Sequence, residues 1–368
     1  MIPCELRRRS LRVAVLVTIG LLWFCAATAR SPSVASSSND YLFNDSHFHL
    51  TNYIQEGTDI HDFLNIMGTK VGRVALFGIP LQQEWSFRID GDRAPTYYLN
   101  SDAPLYYYSF TDAWIAMAYK SLSKDQQDRF DPMITGFNPS DMYAADHVRR
   151  VLQTFPGVFS GIGEFTIHKE FVSAKIPGEV ASLQDPALDR LLDFAAEAGL
   201  VVLIHNDVDT PFPKEGAEPA YLAPLKALFK RHPQATIIWA HMGMGRIVRP
   251  VRRHAAMIES MIEDPQLNHV YFDISWDEVA KYLVATPEST QIAADLMNRY
   301  PDRFLFGTDE VAPSDQQKYL KIYYQYEPLW QLLDKDASEK VRKGNYERIF
   351  DEARRRVRAW EKIHVKLN

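Results

Sequence analysis

Apolar residues gather in eight short and nearly continuous runs: Leu42–Ser46, Arg73–Ile79, Pro132–Phe137, Val158–Phe165, Leu200–His205, Thr236–His241, Val270–Ser275 and Arg303–Gly307. They are rich in Val, Ile, Leu and Phe and show little alternation. Strands buried on both faces of a parallel sheet have that pattern. Most are separated by stretches long enough for a loop and a helix, such as Asp185–Gly199, Pro219–Arg231 and Arg246–Glu263. Asp185 before Pro186 and Thr286 before Pro287 are helix-start signals, and Gly199 follows Asp189–Ala198 where a helix should stop.

The spacing is regular. His205 to His241 is 36 residues, His241 to Ser275 is 34, and Ser275 to Asp309 is 34. Eight βα units of this size predict an α/β fold of the (βα)8 TIM-like barrel type. A doubly wound open sheet is the competitor, but no Gly-rich dinucleotide loop follows the first strand. The second unit is oversized. Residues 81–110 hold Trp85, Phe87, Tyr97, Tyr98, Tyr106, Tyr107, Tyr108 and Phe110. They predict an enlarged aromatic loop after strand 2, lying over the barrel mouth. An apolar flap that merely packs on the barrel, and a contact in a homo-oligomer, are the other readings. Ala337 to His364 reads as a charged amphipathic C-terminal helical extension with a solvated face.

The N-terminus stands apart from this pattern. Arg7, Arg8, Arg9 and Arg12 precede the apolar run Val13–Cys25, and Ala27-Thr28-Ala29 supplies a small-x-small cleavage pattern. Residues 1–29 are therefore expected to be a signal peptide, 30–40 a flexible linker, and 41–368 a single barrel domain. The expected location is secreted or periplasmic, by the Sec or the twin-arginine route. An uncleaved anchor is the alternative, although the run is short for a membrane span; no stable insertion of the mature chain is expected.

The whole chain has a formal charge of −6, and removing a leader with four Arg and one Glu leaves −9. Such acidity argues against nucleic acid as a partner, since phosphate contacts need clustered Lys and Arg. A small-molecule substrate is expected instead. Cys4 and Cys25 are the only cysteines and both lie in the leader. The mature chain is left without disulfide or thiolate chemistry, and any metal must be held by His and carboxylates.

The chemistry-bearing residues sit at strand ends. His47 and His49 lie one residue apart in Asp45-Ser46-His47-Phe48-His49-Leu50, so in an extended segment they point the same way. Glu164 ends strand 4, His205 strand 5, His241 strand 6, and Asp309 follows strand 8. In a barrel these ends share one mouth. Polar residues capping strongly apolar strands are costly unless paired or metal-bound. One such histidine is usually a satisfied core residue. Four with a Glu and an Asp point to a metal centre.

This ordered set resembles the amidohydrolase superfamily, in particular its amidohydrolase-related group, over about residues 42–352. The matching residues are His47, His49, Glu164, His205, His241 and Asp309, and Gly344-Asn345-Tyr346-Glu347-Arg348-Ile349-Phe350 is similar to that group's terminal Gly-Asn helix start. Glu164 stands at a position where some members carry a modified Lys; TatD-like and phosphotriesterase-like relatives carry Glu. The resemblance implies two arrangements. With two ions, His47, His49 and Asp309 hold one, His205 and His241 the other, and Glu164 bridges. With one ion, His47, His49, His205 and Asp309 hold it, His241 meets the substrate carbonyl, and Glu164 supports or moves a proton. Imidazole and carboxylate without thiolate suit Zn²⁺, with Mn²⁺ or Fe²⁺ as alternatives.

The implied function is an exported metal-dependent hydrolase cleaving an amide, ester or lactone bond in a small molecule. Asp309, His241 and Glu164 are its expected catalytic groups. The alternatives are a carboxy-lyase (decarboxylase) of the same fold, an inactive periplasmic binding protein, and a TatD-like nuclease. The last is disfavoured by the charge. His168, Asp207, Asp273, Arg246 and Arg249 are secondary candidates, the arginines for an anionic substrate group. His61, His147, His232, His254, His269 and His364 fall in helix or turn contexts and receive no role.

Overall fold

Strands form where the apolar runs predict them, and their pairing closes a ring. The computed structural model describes residues 41–52, 55–83, 105–107, 109–170, 182–214 and 216–365. The strands in chain order are β1 (Phe43–His49), β2 (Val71–Phe77), β3 (Leu81–Gln83), β4 (Leu105–Tyr107), β5 (Phe130–Ile134), β6 (Gly161–His168), β7 (Val201–Asn206), β8 (Thr236–Trp239), β9 (Val270–Asp273), β10 (Phe304–Leu305) and β11 (Glu310–Val311). Nine form one parallel sheet in the order β10-β9-β8-β7-β6-β5-β2-β1-β11, and β3 pairs with β4 antiparallel. β10 and β11 are two parts of one stretch of chain. Ser46 N donates to Phe306 O (3.1 Å) and Asp309 N to His47 O (2.7 Å), so that stretch runs beside β1 and completes the barrel.

The longer helices are α1 (Ile60–Met67), α2 (Phe110–Lys120), α3 (Ala144–Thr154), α4 (Pro186–Ala198), α5 (Leu222–Arg231), α6 (His254–Ile262), α7 (Asp277–Leu283), α8 (Pro287–Arg299), α9 (Gln316–Gln325) and α10 (Asn345–His364). Their ends follow the local chemistry. Asp185 accepts from Ala187 N (2.9 Å) at the start of α4, and Gly199 ends it in the left-handed region at φ 80°. Thr286 and Ser289 form a reciprocal cap on α8. One of the loop-and-helix stretches divides late. Of Arg246–Glu263 only His254–Ile262 is helical, because Pro250 interrupts and Arg253 takes φ 61° just before the first turn.

Two apolar layers result. The larger lies between strands and helices. The smaller lines the barrel: Ala75, Phe77, Met133, Val201, Leu203, Ile238, Ala240 and Leu305 pack with Tyr346, Ile349, Phe350 and Ala353 of α10. The C-terminal extension is thus more than a solvated helix, since its apolar face closes the barrel floor. The floor is tied by Asp131, fully buried, which accepts from Arg73 Nη2 (2.8 Å) and Tyr346 Oη (2.7 Å) and pairs with Arg354 Nε. Asn345 donates to the carbonyls of Pro301 (2.7 Å) and Phe304 (2.8 Å), which explains the Gly-Asn signal: the amide fastens the last helix to the entry of the last strand.

The enlarged loop is described only at its ends, β3 and β4, and at Phe110, which opens α2 half-exposed. Trp85, Phe87, Tyr97, Tyr98 and Tyr108 lie outside the described residues, as do the leader and linker. Among the described residues no helix is long and apolar enough to cross a membrane.

Candidate metal centre

All six predicted side chains meet at the C-terminal mouth of the barrel. His47 and His49, two positions apart at the end of β1, project together, their ring centres 5.4 Å apart. Glu164 comes from β6 and His205 from β7. His241 sits just past β8 in a short turn at φ 57°, with Met242 at φ 51°, and Asp309 follows β10 at φ 51°. Left-handed non-glycine residues are costly and collect where function fixes the geometry. His254, given no role by the sequence, holds the His241 turn: its Nε2 donates to Met242 O (3.1 Å) while its Nδ1 accepts from Val251 N (3.3 Å). Burial pushes its pKa down to about 4, so the ring is neutral, as that donor–acceptor pairing requires.

The distances are short. Asp309 Oδ1 lies 3.2 Å from His47 Nε2 and 3.0 Å from His49 Nε2. Glu164 divides its oxygens. Oε2 is 3.8 Å from His47 Nε2 and 3.6 Å from His49 Nε2. Oε1 is 2.6 Å from His205 Nδ1 and 3.6 Å from His241 Nε2. His47, His49, His205, His241 and Glu164 are buried, and little of the Asp309 side chain is exposed.

The far nitrogen of every ring decides what the near one offers. His47 Nδ1 donates to Asp273 Oδ2 (2.7 Å), and His49 Nδ1 faces Gly78 O (3.4 Å). His205 Nε2 faces Asp207 Oδ1 (3.2 Å). His241 Nδ1 meets Ser275 Oγ (3.0 Å), whose own hydrogen goes to Asp273 Oδ2 (2.7 Å). Carboxylates and carbonyls only accept, so each far nitrogen carries the hydrogen. Four imidazole lone pairs and two carboxylates therefore converge. Such a set repels itself unless protons or a cation lie within it. The Nε2 atoms of His47 and His241 are buried without a hydrogen bond among the described residues. Three groups of three, His47–His49–Glu164, Glu164–His205–His241 and His47–His241–Asp309, each have ligand atoms within 4.8 Å of one another. The residues fit a divalent ion.

The electrostatics agree. Burial opposes charge on His47, but Asp309, Asp273 and Glu164 outweigh it and hold its pKa well above the usual imidazole value. Burial likewise opposes ionisation of Glu164, yet Lys169 and His205 keep its pKa well below the carboxylate norm. Asp309 is also buried, and His47 with His49 keeps it ionised. His241 is held neutral by burial.

Asp45 fastens the two closing strands. It accepts from Thr308 N (2.8 Å), Thr308 Oγ1 (2.7 Å), His47 N (3.1 Å) and Tyr319 Oη (2.8 Å). Gly163 is required for the approach of β6 to β7. Its φ is 116°, and a Cβ there would stand 2.1 Å from Leu203 O. Gly163→Ala is expected to lose more than about 3 kcal/mol through backbone strain and displacement of Leu203, measured by urea unfolding.

The secondary candidates separate. Asp273 and Asp207 support His47 and His205 directly. His168 is buried and stacked on Tyr221 at 3.9 Å, its pKa pushed down to about 4 by burial. Arg246 lies 5.8 Å from the Trp276 ring and 3.8 Å from Glu278, and with Arg249 it lines a cleft of about 1370 Å³. Sequence reasoning missed Lys169, Ser275 and Trp276. Trp276, at φ 85°, places its ring 5.0 Å from that of His241. Only the Asp273-x-Ser275 spacing carried a signal; Lys169 depends on how its loop is anchored.

Fold and site together define an α/β barrel whose strand ends gather a set of imidazoles and carboxylates that fits a metal ion. The chain belongs to the amidohydrolase family, whose sequence profile, described as Amidohydrolase, matches residues 45–351. No curated protein sequence matches it. Among solved structures it is similar to a putative 2-pyrone-4,6-dicarboxylic acid hydrolase from Pseudomonas putida, at 15% identity and a TM-score of 0.50, over 85% of this chain and 98% of that one. A zinc-bound amidohydrolase from Burkholderia multivorans gives 14% identity and 0.48 over 84% and 99%. A 2,6-dihydroxybenzoate decarboxylase gives 13% and 0.47 over the same shares. At such identities the likeness concerns the fold.

Proposed function

We propose that this chain is a metal-dependent hydrolase that cleaves an amide, ester or lactone bond in a small molecule, with no nucleic-acid partner. His47, His49, Glu164, His205, His241 and Asp309 are its ligand set and Zn²⁺ its first-choice ion. The observation that carries the reading is the convergence of four imidazole lone pairs and two ionised carboxylates at one mouth. A divalent ion bound there supplies a polarised carbonyl and a water whose pKa falls toward ~7.

The chain's own groups do the rest. Asp309, kept ionised and placed beside His47 and His49, takes a proton from the attacking water and returns it to the leaving group. His241 is neutral with its hydrogen on Nδ1, so Nε2 has none to give a carbonyl oxygen and offers its lone pair to an ion on the His205 side. Asp273 orients His47 and, through Ser275, His241. Asp273→Ala is expected to weaken divalent-ion affinity by about 10- to 100-fold, read by competition with a chelating dye. An unchanged affinity removes Asp273 from that role.

The leader motif supports export. N-terminal sequencing of the protein recovered from its native host should then begin at Arg30, and a chain beginning at Met1 counts against it. For the reaction, the test is Zn²⁺- or Mn²⁺-loaded protein screened against amides, lactones, esters and carboxylic acids, with products identified. Addition of water across a C–N or C–O bond is the expected result. Release of CO₂ from a carboxylic acid replaces hydrolysis with the carboxy-lyase alternative, and failure to bind any divalent ion ends both.

A further inference from the structure

The two sides of Glu164 are electrically unequal. On the Oε2 side stand His47, His49 and Asp309 Oδ1, and Asp309 Oδ2 reaches across to within 3.8 Å of His241 Nε2. On the Oε1 side stand His205, His241 and the ammonium of Lys169, 4.0 Å from Oε1. Lys169 is the strongest charge lowering the Glu164 pKa, and its side chain is 13% exposed.

Lys169 is also held in place. Its Nζ lies 5.2 Å from the centre of the Trp276 ring, a cation–π contact. Both chain neighbours are anchored. His168 stacks on Tyr221, and its carbonyl accepts from Asp207 N (2.8 Å). Glu170, at φ 50°, donates its N–H to Asp207 Oδ2 (2.5 Å) and accepts from Ile247 N (3.2 Å). The same Asp207 faces His205 through its other oxygen (3.2 Å). One buried carboxylate therefore fixes both His205 and the loop that carries the ammonium.

A fixed positive charge repels a divalent ion beside it, and solvent screens little of that repulsion in a buried cluster. We propose that Lys169 keeps the His205–His241–Glu164 Oε1 position weak. The protein then holds one divalent ion tightly on the His47–His49–Asp309 side and admits a second only at high concentration. Lys169 supplies Glu164 with the opposite charge that a second ion would otherwise bring. This inference rests on the metal-centre reading above.

Metal-stripped full-length protein is titrated with Zn²⁺, and retained metal is counted by elemental analysis after gel filtration. Wild type should retain one equivalent. Lys169→Met should bind the second ion about tenfold more tightly or better and retain two, whereas Lys169→Arg, which keeps the charge, should retain one. Mn²⁺ loading adds a spectroscopic check, since a spin-coupled pair should appear in Lys169→Met at concentrations where wild type shows isolated ions. Lys169→Gln makes the same comparison if the Met variant lacks a native melting transition. Two tightly held ions in wild type, or one ion in both uncharged variants, overturns the inference and leaves the hydrolase reading standing. No ion in any form overturns both.

Discussion

Asp309→Asn should lower turnover by about a thousandfold or more while leaving the barrel and most of the bound metal in place. The substitution is nearly isosteric. Asn also tolerates the left-handed backbone found at Asp309, φ 51°. The bond that ties this residue to β1 runs from its backbone N to His47 O and is untouched. What disappears is the negative charge and the capacity to take up a proton. Because Asp309 is the strongest charge favouring protonated His47, ion affinity should fall too, but less than turnover. The check is kcat on a substrate found in the panel, with metal content and thermal melting measured on the same preparation. A variant that turns over like wild type removes Asp309 from proton transfer.

At the opposite end of the barrel, Asp131→Ala should cost about 3–5 kcal/mol of stability. Asp131 is fully buried and receives Arg73, Arg354, Tyr346 and, at 3.4 Å, Ser160. Its removal leaves two guanidinium groups and a phenol without their common acceptor. Arg73 and Arg354 side chains are only 17% and 28% exposed, so water replaces little of what is lost. Turnover per folded molecule should be unaffected, because the network lies below the barrel lining and the His–carboxylate cluster lies above it. Urea unfolding measures the effect. A loss below about 1 kcal/mol would place the cluster with ordinary surface ion pairs.

Much of this architecture was legible in the amino-acid pattern because parallel strands carry their signal locally. Each of the eight apolar runs overlaps a strand, although β1 continues through His49, β2 and β5 begin two residues before their runs, and the last run holds only β10 ahead of the turn that presents Asp309. The convergence of the six side chains was legible for the same reason, since a polar residue ending an apolar strand in this fold has only one mouth to face. Partnerships were less visible. Asp273 reaches His47 across 226 positions and His254 supports a turn 12 residues before it, and neither distance leaves a local pattern. The amphipathic tail was legible as a helix, but nothing local in its sequence says that the apolar stripe of Tyr346, Ile349, Phe350 and Ala353 packs under the barrel.

That stripe has a consequence for chains that are never finished. Among the described residues, the lining of the ring is covered from below by residues 346–353, and the ring is closed by residues 304–312. A ribosome that stalls after β9 would release a product with Val201, Leu203 and Ile238 bare to water. Such a product should aggregate or be degraded rather than persist as a partly working copy.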